Sequence, residues 1–250
     1  MSHASATNPI STGGGGALFE QRVNALFLAL MLVRAPLPIL KDCQIKKIHL
    51  QAEHLGWKTD DILVVATRPD GAVRRLAMQV KRQFKISKND KTCKEAIGDF
   101  WADFRGSQFN TAKDRFALVT LLGTEALLSK FNSLLDCARA SVDAADFMQR
   151  LEVDGLLSKT ARDYARTIRR ILEAANESAP TDEEFQRFLS VLHVVSFDLS
   201  IASGHTEAWI KTLLERAYVT TVTFPPFLTS PLIRAFHPTP SKRSNPCSAA

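Results

Sequence analysis

TDDILVVATRPDGAVRRLAMQVKRQFK, residues 59–85, has the pattern of a β-hairpin. Its apolar run 62–66 is short and rich in β-branched residues, which is typical of a buried strand. The sequence Pro-Asp-Gly at 69–71 supplies a preset φ, a local side-chain hydrogen bond and a positive φ, which together favour a tight turn. A second strand of alternating apolar and polar residues then extends to about Lys85. The segment therefore predicts two antiparallel strands joined by a tight turn.

This predicted hairpin can bring three polar side chains together. Alternation places Gln79 and Lys81 on one face of the second strand, and the hairpin returns that face to Asp61 at the start of the first strand. Oxygen atoms of Asp61 and Gln79 suit a hard divalent cation, and Lys81 can orient or deprotonate an attacking water, as metal-assisted phosphodiester hydrolysis requires. The structural alternative is that the two Asp residues form only a turn and that Gln79 and Lys81 are a solvated strand face.

The order of the polar residues resembles a known motif. Glu20 lies on an early predicted helix, and seventeen residues separate Asp61 from Gln79-Val80-Lys81. This arrangement resembles the PD-(D/E)xK nuclease superfamily, in the variant with Gln in place of the acidic residue before the Lys. Longer segments resemble the Cap4-type double-stranded DNA endonuclease domain, closely over residues 13–124: GGGGALFEQRVNALFLALML, TDDILV, QVKRQFK, FWADFRGSQFN and DRFALVT.

The resemblance implies a fold, a cofactor and a set of site residues. The implied fold is α/β, with a restriction-endonuclease-like core in the order αβββαβ followed by a helical subdomain. Asp61, Gln79 and Glu20 would hold Mg²⁺, with Mn²⁺ as the alternative, and Lys81 would serve the water and the transition state. Asp60 is the alternative ligand to Asp61, because a shift of one residue moves a side chain to the opposite face of a strand. Without the resemblance, Glu20 in a first helical turn is explained by the helix dipole.

Positive charge is concentrated beside the proposed site. The net charge is +6, and residues 74–94 contain eight Lys or Arg against one acidic residue, Asp90. Such a segment favours a phosphate backbone as its partner, and the alternative is a solvated basic loop. The residues expected to bind DNA are Arg82, Lys85, Lys88, Lys91 and Arg105.

Two helical patterns each have a structural and a nucleic-acid-binding interpretation. The first is aromatic, and core packing is preferred over stacking on a base: Phe100, Trp101 and Phe104. The second is a basic flank, for which solvation is preferred over a second phosphate contact: Arg162, Arg166, Arg169 and Arg170.

The pattern divides the chain into four parts. Residues 1–16 are expected to be a flexible arm, 17–124 the nuclease core, 125–222 a helical subdomain and 223–250 a Pro-rich, poorly ordered tail. In the core, helices are predicted over 17–33 and 95–110, and further strands over 45–50 and 115–122. The later predicted helices are 127–140, 144–151, 158–176, 182–194 and 207–217.

Cysteine usage and the N-terminal sequence bear on localisation and partners. The four Cys residues are scattered and form no CxxC pair or Cys-His cluster, so a reducing cytoplasm is expected. Residues 1–16 lack the regions of a signal peptide, and the apolar run 25–33 is too short to span a bilayer, so no membrane partner is expected. No P-loop sequence is present. The expected protein partners are further copies of the chain or a separate sensor or NTPase.

Three functions are consistent with these patterns. The first, implied by the resemblance, is a Mg²⁺-dependent endonuclease that hydrolyses phosphodiester bonds of double-stranded DNA as an anti-phage defence effector. The second is a nuclease-like module that binds nucleic acid without cleaving it, which the neutral Gln79 permits. The third is an interaction scaffold of a multi-part defence system, in which the helical half is the working part.

Overall fold

A computed structural model describes residues 14–121, 126–176, 178–199 and 204–223, and it confirms the α/β class. The elements of the first half are α1 (Gly14–Leu32), β1 (Gln44–Leu50), a 3₁₀ helix (Ala52–Leu55), β2 (Ile62–Thr67), β3 (Val73–Lys81), α2 (Lys91–Arg105) and β4 (Arg115–Leu121). The elements of the second half are a π-helical turn (Ala126–Phe131), α3 (Asn132–Ala140), α4 (Ala144–Glu152), α5 (Lys159–Asn176), α6 (Asp182–Val191), β5 (Leu192–Phe197) and α7 (His205–Thr223).

The five strands form one mixed sheet in the order β1-β2-β3-β4-β5. The pairs β1–β2 and β2–β3 are antiparallel, whereas β3–β4 and β4–β5 are parallel. Two parallel neighbours cannot be joined by a tight turn, so a longer connection must cross over between them. Helix α2 lies in the first such connection, and α3 to α6 lie in the second.

The hydrophobic core is divided between the two faces of the sheet. Ile62 and Met78 belong to the cluster that contains the buried side chains of α1. Their neighbours Leu63 and Ala77 belong to a larger cluster that also contains residues of α2 to α6. This division follows from the alternation of side chains along a strand. Each strand at the centre of the sheet is therefore buried on both faces.

The predicted turn of the hairpin forms at residues 69–71. Gly71 has a φ of +83°, a conformation that residues with a Cβ rarely adopt. The Ala72 N–H donates a hydrogen bond of 2.9 Å to Asp70 Oδ1, which is the local side-chain bond expected of Asp in a turn. The predicted turn is confirmed, together with both flanking strands.

Strand β3 is shorter than predicted, because it ends at Lys81 and not near Lys85. Its partner β2 begins at Ile62, opposite Met78, and provides no antiparallel pairing beyond that point. The next residues turn inward, with Phe84 9% and Ile86 7% exposed. Burial of these two side chains in the α2 layer therefore ends the extended segment.

Strand β5 was not predicted. The helix expected over residues 182–194 ends at Val191, and Leu192–Phe197 form a strand parallel to β4. Its sequence is apolar and β-branched in part, and short runs of this kind suit either a buried helix or a buried strand. Pairing with β4 decides between them. The region predicted as a helical subdomain thus contributes a strand to the sheet of the nuclease core.

The two ends of the chain bear on the predicted arm and tail. Helix α1 begins at Gly14, so the last residues of the predicted arm 1–16 are helical, and residues 1–13 lie outside the described part. The predicted tail 223–250 lies outside it as well, apart from Thr223 at the end of α7. Within the described residues, no helix has both the length and the apolar character needed to cross a membrane.

Candidate functional site

Asp61 and Lys81 contact each other where β2 begins and β3 ends. Lys81 Nζ lies 3.0 Å from Asp61 Oδ2, and the same oxygen accepts a hydrogen bond of 2.6 Å from the Val80 N–H. The Asp61 side chain is 17% exposed and the Lys81 side chain 28%. The hairpin register, which pairs Ile62 with Met78, is the cause of this approach. Two of the three side chains expected to converge therefore do so.

Gln79 is buried on the same face of β3 but is turned toward α2. Its Nε2 lies 3.4 Å from Asp99 Oδ2 and 3.5 Å from the Lys58 carbonyl oxygen, so both hydrogen bonds are long. Among the described residues, no hydrogen bond joins Gln79 to Asp61. Any contact of Gln79 with a cation would use its amide oxygen, because the Nε2 group is a hydrogen-bond donor.

Glu20 lies on α1, near enough to the Asp61–Lys81 pair to be affected by its charges. Burial raises the pKa of Glu20, the Asp61 carboxylate raises it further, and Lys81 lowers it. Because α1 begins at Gly14, Glu20 is not in the first helical turn, and the helix-dipole explanation of this residue is wrong. Glu20 therefore belongs to the same electrostatic cluster as Asp61 and Lys81.

Asp60 lies beside Asp61 in an environment that disfavours negative charge. Burial raises the pKa of Asp60, and the charge of Asp61 raises it further, whereas its own backbone N–H and Lys81 lower it. Repulsion between neighbouring carboxylates is a common cause of such a shift. Asp60 therefore belongs to the same electrostatic cluster and remains an alternative ligand.

Asp99, on α2, is a fourth carboxylate of this cluster and was not predicted. Its pKa is raised to about 6, mainly by burial and then by the charges of Asp60 and Asp103. A signal was present in the sequence, because Asp99 and Asp103 are four residues apart and lie on one flank of the predicted helix. That flank faces the start of β2.

Asp103 holds the segment that precedes β2. Its carboxylate is 3% exposed and accepts hydrogen bonds from the Lys58 N–H at 2.9 Å and the Thr59 N–H at 2.7 Å. Hydrogen bonds to a buried carboxylate are strong, since the acceptor is charged. Asp103 therefore positions the backbone immediately before Asp60 and Asp61.

The donor set suits a hard divalent cation by its chemistry. The carboxylates of Glu20, Asp60, Asp61 and Asp99 interact electrostatically at this edge, where the Lys81 ammonium partly offsets their charge and the amide of Gln79 lies beside Asp99. Burial and, after it, repulsion between the carboxylates raise the pKa values of Glu20, Asp60 and Asp99, and a bound cation would favour their charged forms. In the residues the structure describes, no three His, Cys, Asp or Glu side chains are grouped closely enough to hold a metal ion. Binding would therefore require a change of side-chain rotamers.

The residues expected to bind DNA fall into two places. Arg82 is half-buried, and Lys85, Lys88 and Lys91 are exposed between the end of β3 and the start of α2. Arg105 is at the opposite end of α2, where its guanidinium lies 5.9 Å from the centre of the Trp101 ring. The structure does not bring Arg105 together with the others.

The basic segment 74–94 is also divided by the sheet. Arg74 and Arg75 lie at the start of β3, the end remote from Lys81. The Arg75 guanidinium lies 3.4 Å from Asp114 Oδ2 and donates to the Gln108 carbonyl oxygen at 2.8 Å. Only the later part of the segment adjoins the candidate site.

The aromatic residues of α2 are part of the core, as preferred from the sequence. The Trp101 ring stacks on Phe104 with centroids 5.3 Å apart and meets Phe188 of α6 edge-on at 5.3 Å. Phe100 is fully buried against Phe116 of β4. These rings are therefore occupied by intramolecular packing and not presented to a base.

Comparisons with known proteins do not supply a family. No protein-family model matches the chain, and neither the curated proteins nor the solved structures compared with it are significantly similar.

Proposed function

We propose that this chain is a divalent-cation-dependent endonuclease that hydrolyses phosphodiester bonds of double-stranded DNA. The observation that carries the proposal is the contact of Asp61 with Lys81, beside Gln79 and within the electrostatic reach of Glu20. The fold supports it further. Elements α1 to β4 follow the order αβββαβ with β4 parallel to β3, which is compatible with a restriction-endonuclease-like core.

Mg²⁺ is the proposed cofactor, with Mn²⁺ as the alternative. Asp61, Glu20 and the amide oxygen of Gln79 would hold the cation, and Asp60 and Asp99 are the neighbouring carboxylates able to replace one of them. When bound, a divalent cation polarises a phosphoryl oxygen and lowers the pKa of a bound water. The gathering of carboxylates around one Lys is the feature of this chain that supports such a ligand.

Lys81 is the residue proposed to act on the attacking water and on the developing charge. An ammonium has three N–H donors, and one directed at Asp61 leaves two for a water or a phosphate oxygen. Its positive charge offsets the charge that develops on the phosphorane. Since Asp61 Oδ2 is also bonded to the β3 backbone, the ion pair holds the ammonium at the edge of the sheet.

Conversion of supercoiled plasmid to nicked and linear DNA tests this function. We expect the wild type to cleave with Mg²⁺ and not with EDTA. Lys81→Met should lower the cleavage rate by about 100-fold or more, since loss of one positioned donor that stabilises developing charge costs factors of this order. Lys159→Met is the matched control, because Lys159 is an exposed residue of α5 that pairs with Asp163 at 3.5 Å.

The outcomes separate the proposed functions. Equal cleavage by Lys81→Met and Lys159→Met would contradict the assigned role of Lys81. A wild type that shifts duplex DNA in a gel but does not cleave it with Mg²⁺ or Mn²⁺ would instead support a non-cleaving binding module. If the wild type neither cleaves nor binds DNA, the interaction scaffold is the remaining candidate function.

The binding module is the second candidate because of two observations. Residue 79 is an amide and not a carboxylate, and in the described ranges no three acidic, His or Cys side chains are grouped at metal-binding distances. Both features weaken cation binding relative to a site with paired carboxylates. The basic residues after β3 would then serve to hold nucleic acid alone.

The biological setting is proposed from the family resemblance. The chain would act in the cytoplasm as an effector of anti-phage defence, assembled with itself or with a separate sensor or NTPase. One active site per chain cuts one strand, so a double-strand break at one place needs two chains. Cleavage that rises with the square of protein concentration would support assembly of two copies.

A further inference from the structure

A groove of about 400 Å³ opens between the start of α2 and the end of α5. Three cationic residues line it, Lys88 from the loop after β3, Lys94 from α2 and Arg170 from α5. The remaining lining is small and apolar: Ile171, Ala174 and Ala175. The groove thus joins the basic segment after β3 to a helix from the second half of the chain.

Arg170 differs from the other arginines of its helix. Three of the four form ion pairs with Asp side chains at 2.6 to 2.9 Å: Arg162, Arg166 and Arg169. Within the described part of the chain, Arg170 forms no ion pair, and neither do Lys88 and Lys94. Three like charges therefore line one groove, and no carboxylate of the described residues forms an ion pair with any of them. An anionic ligand is the partner that their charge favours.

The groove is held in shape by the core beneath it. Phe84 and Ile86 anchor the loop that carries Lys88, and both are buried in the cluster that contains α2 and α5. Asp90, the acidic residue nearest in sequence, caps α2 by accepting a hydrogen bond of 2.8 Å from the Cys93 N–H. The core and the cap therefore fix the backbone that carries Lys88 and Lys94 before a ligand binds, so only the side chains have to be ordered.

The groove lies within reach of DNA bound at the candidate site. Lys88 is seven residues after Lys81, so the chain between them spans at most about 25 Å. One turn of B-form DNA rises about 34 Å. The distance from Lys81 to Lys88 is therefore shorter than one turn of a duplex.

We infer that the groove formed by Lys88, Lys94 and Arg170 is a second phosphate-binding site, which takes the sugar-phosphate backbone of the same double-stranded DNA. This inference rests on the proposed function, because its ligand is the proposed substrate. The groove carries positioning residues and not catalytic ones. It gives the helical half of the chain a direct part in substrate binding.

Binding of a fluorescein-labelled 20-base-pair duplex, followed by anisotropy in EDTA over a series of salt concentrations, tests the inference. We expect Arg170→Ala to weaken binding about 3- to 10-fold and to lower the slope of log K against log[salt] by about 1. Lys88→Ala with Arg170→Ala should lower the slope by about 2. Arg166→Ala is the matched control, since Arg166 is exposed on the same helix and pairs with Asp163 at 2.8 Å.

The result that would overturn the inference is an Arg170→Ala protein with the affinity and salt slope of Arg166→Ala. A wild type without affinity for the duplex would overturn it as well. Thermal unfolding of each variant separates a loss of contact from a loss of fold. The plasmid assay is independent of this measurement. Weaker binding by Arg170→Ala, combined with no cleavage by the wild type, would support the groove and reject the nuclease. Unchanged binding by Arg170→Ala, combined with cleavage by the wild type, would reject the groove alone.

Discussion

Lys81 Nζ lies 3.0 Å from Asp61 Oδ2, and that oxygen also accepts the Val80 N–H at 2.6 Å. The carboxylate is thus bonded to the backbone and the side chain of neighbouring residues on β3. In the described structure its other oxygen, Oδ1, forms no hydrogen bond. The arrangement fixes Asp61 at the edge of the sheet and leaves one oxygen free for a ligand.

Substitutions of Asp61 should separate stability from activity. Asp61→Ala leaves the Val80 N–H without its acceptor and should lower the free energy of unfolding by about 1–3 kcal/mol in urea titration. Asp61→Asn retains an oxygen acceptor and should lose less stability. Both variants should lose at least about 100-fold in plasmid cleavage, because neither a methyl group nor an uncharged amide replaces the charge of the Asp61 carboxylate toward a hard cation. Full activity in Asp61→Asn would contradict the proposed role.

Gln79→Glu should lower the stability of the fold by an amount that depends on pH and on divalent cations. The new carboxylate would lie beside Asp99, whose pKa is already raised to about 6. A carboxyl with a raised native pKa binds more protons in the native state than in the unfolded state, so its contribution to stability grows as the pH falls from about 6 toward 3.8. We therefore expect the melting temperature of Gln79→Glu to fall below wild type at pH 8 and to recover at pH 5.5.

Added Mg²⁺ at millimolar concentration should also raise the melting temperature of Gln79→Glu at pH 8, and by more than that of the wild type. The control is Gln79→Glu combined with Asp99→Asn, in which one of the two neighbouring charges is absent. A Gln79→Glu protein as stable as wild type at pH 8, with or without Mg²⁺, would contradict the geometry described for Gln79.

Asp103→Ala should be strongly destabilising. The substitution leaves the N–H groups of Lys58 and Thr59 without their acceptor, and we expect a loss of about 2–4 kcal/mol in the free energy of unfolding. Asp136→Ala is the control, because Asp136 is 71% exposed and its ion pair with Arg139 should contribute less than about 1 kcal/mol. Equal losses for the two variants would contradict the positioning role of Asp103.

His193 should make the protein less stable in mild acid. Burial, followed by the charges of Arg139 and Arg115, lowers its pKa from 6.5 to about 4. Between these values the unfolded state binds a proton that the native state does not, so stability falls as the pH decreases from about 6.5 to about 4. The full contribution should be about 3–4 kcal/mol, because the shift spans about 2.5 pKa units at about 1.4 kcal/mol each.

Urea titrations of wild type and His193→Gln at pH 7 and pH 4.5 measure this contribution, because the variant lacks the titrating group. Relative to wild type, the free energy of unfolding of His193→Gln should be about 2 kcal/mol more favourable to the folded state at pH 4.5 than at pH 7. The same substitution at the exposed His205 is the control. A constant difference between wild type and His193→Gln would contradict the assignment.

The sequence by itself determined the hairpin and the meeting of Asp61 with Lys81. These features depend on interactions between residues close in the chain: a Pro-Asp-Gly turn, an alternation of period two and a register that follows from the turn. Helix α1 and strand β4 were predicted on the same basis, since a long periodic run and a short β-branched run are local patterns.

Only the tertiary structure decided the features that depend on distant partners. Strand β5 is a strand because it pairs with β4, more than seventy residues earlier, and Asp99 is a neighbour of Gln79 because α2 packs on that face of the sheet. Packing of α2 against α5 likewise brought Arg170 beside Lys88. In each case, the free energy that selects the arrangement comes from long-range pairing and burial. A sequence pattern over a few neighbouring residues does not predict these long-range interactions.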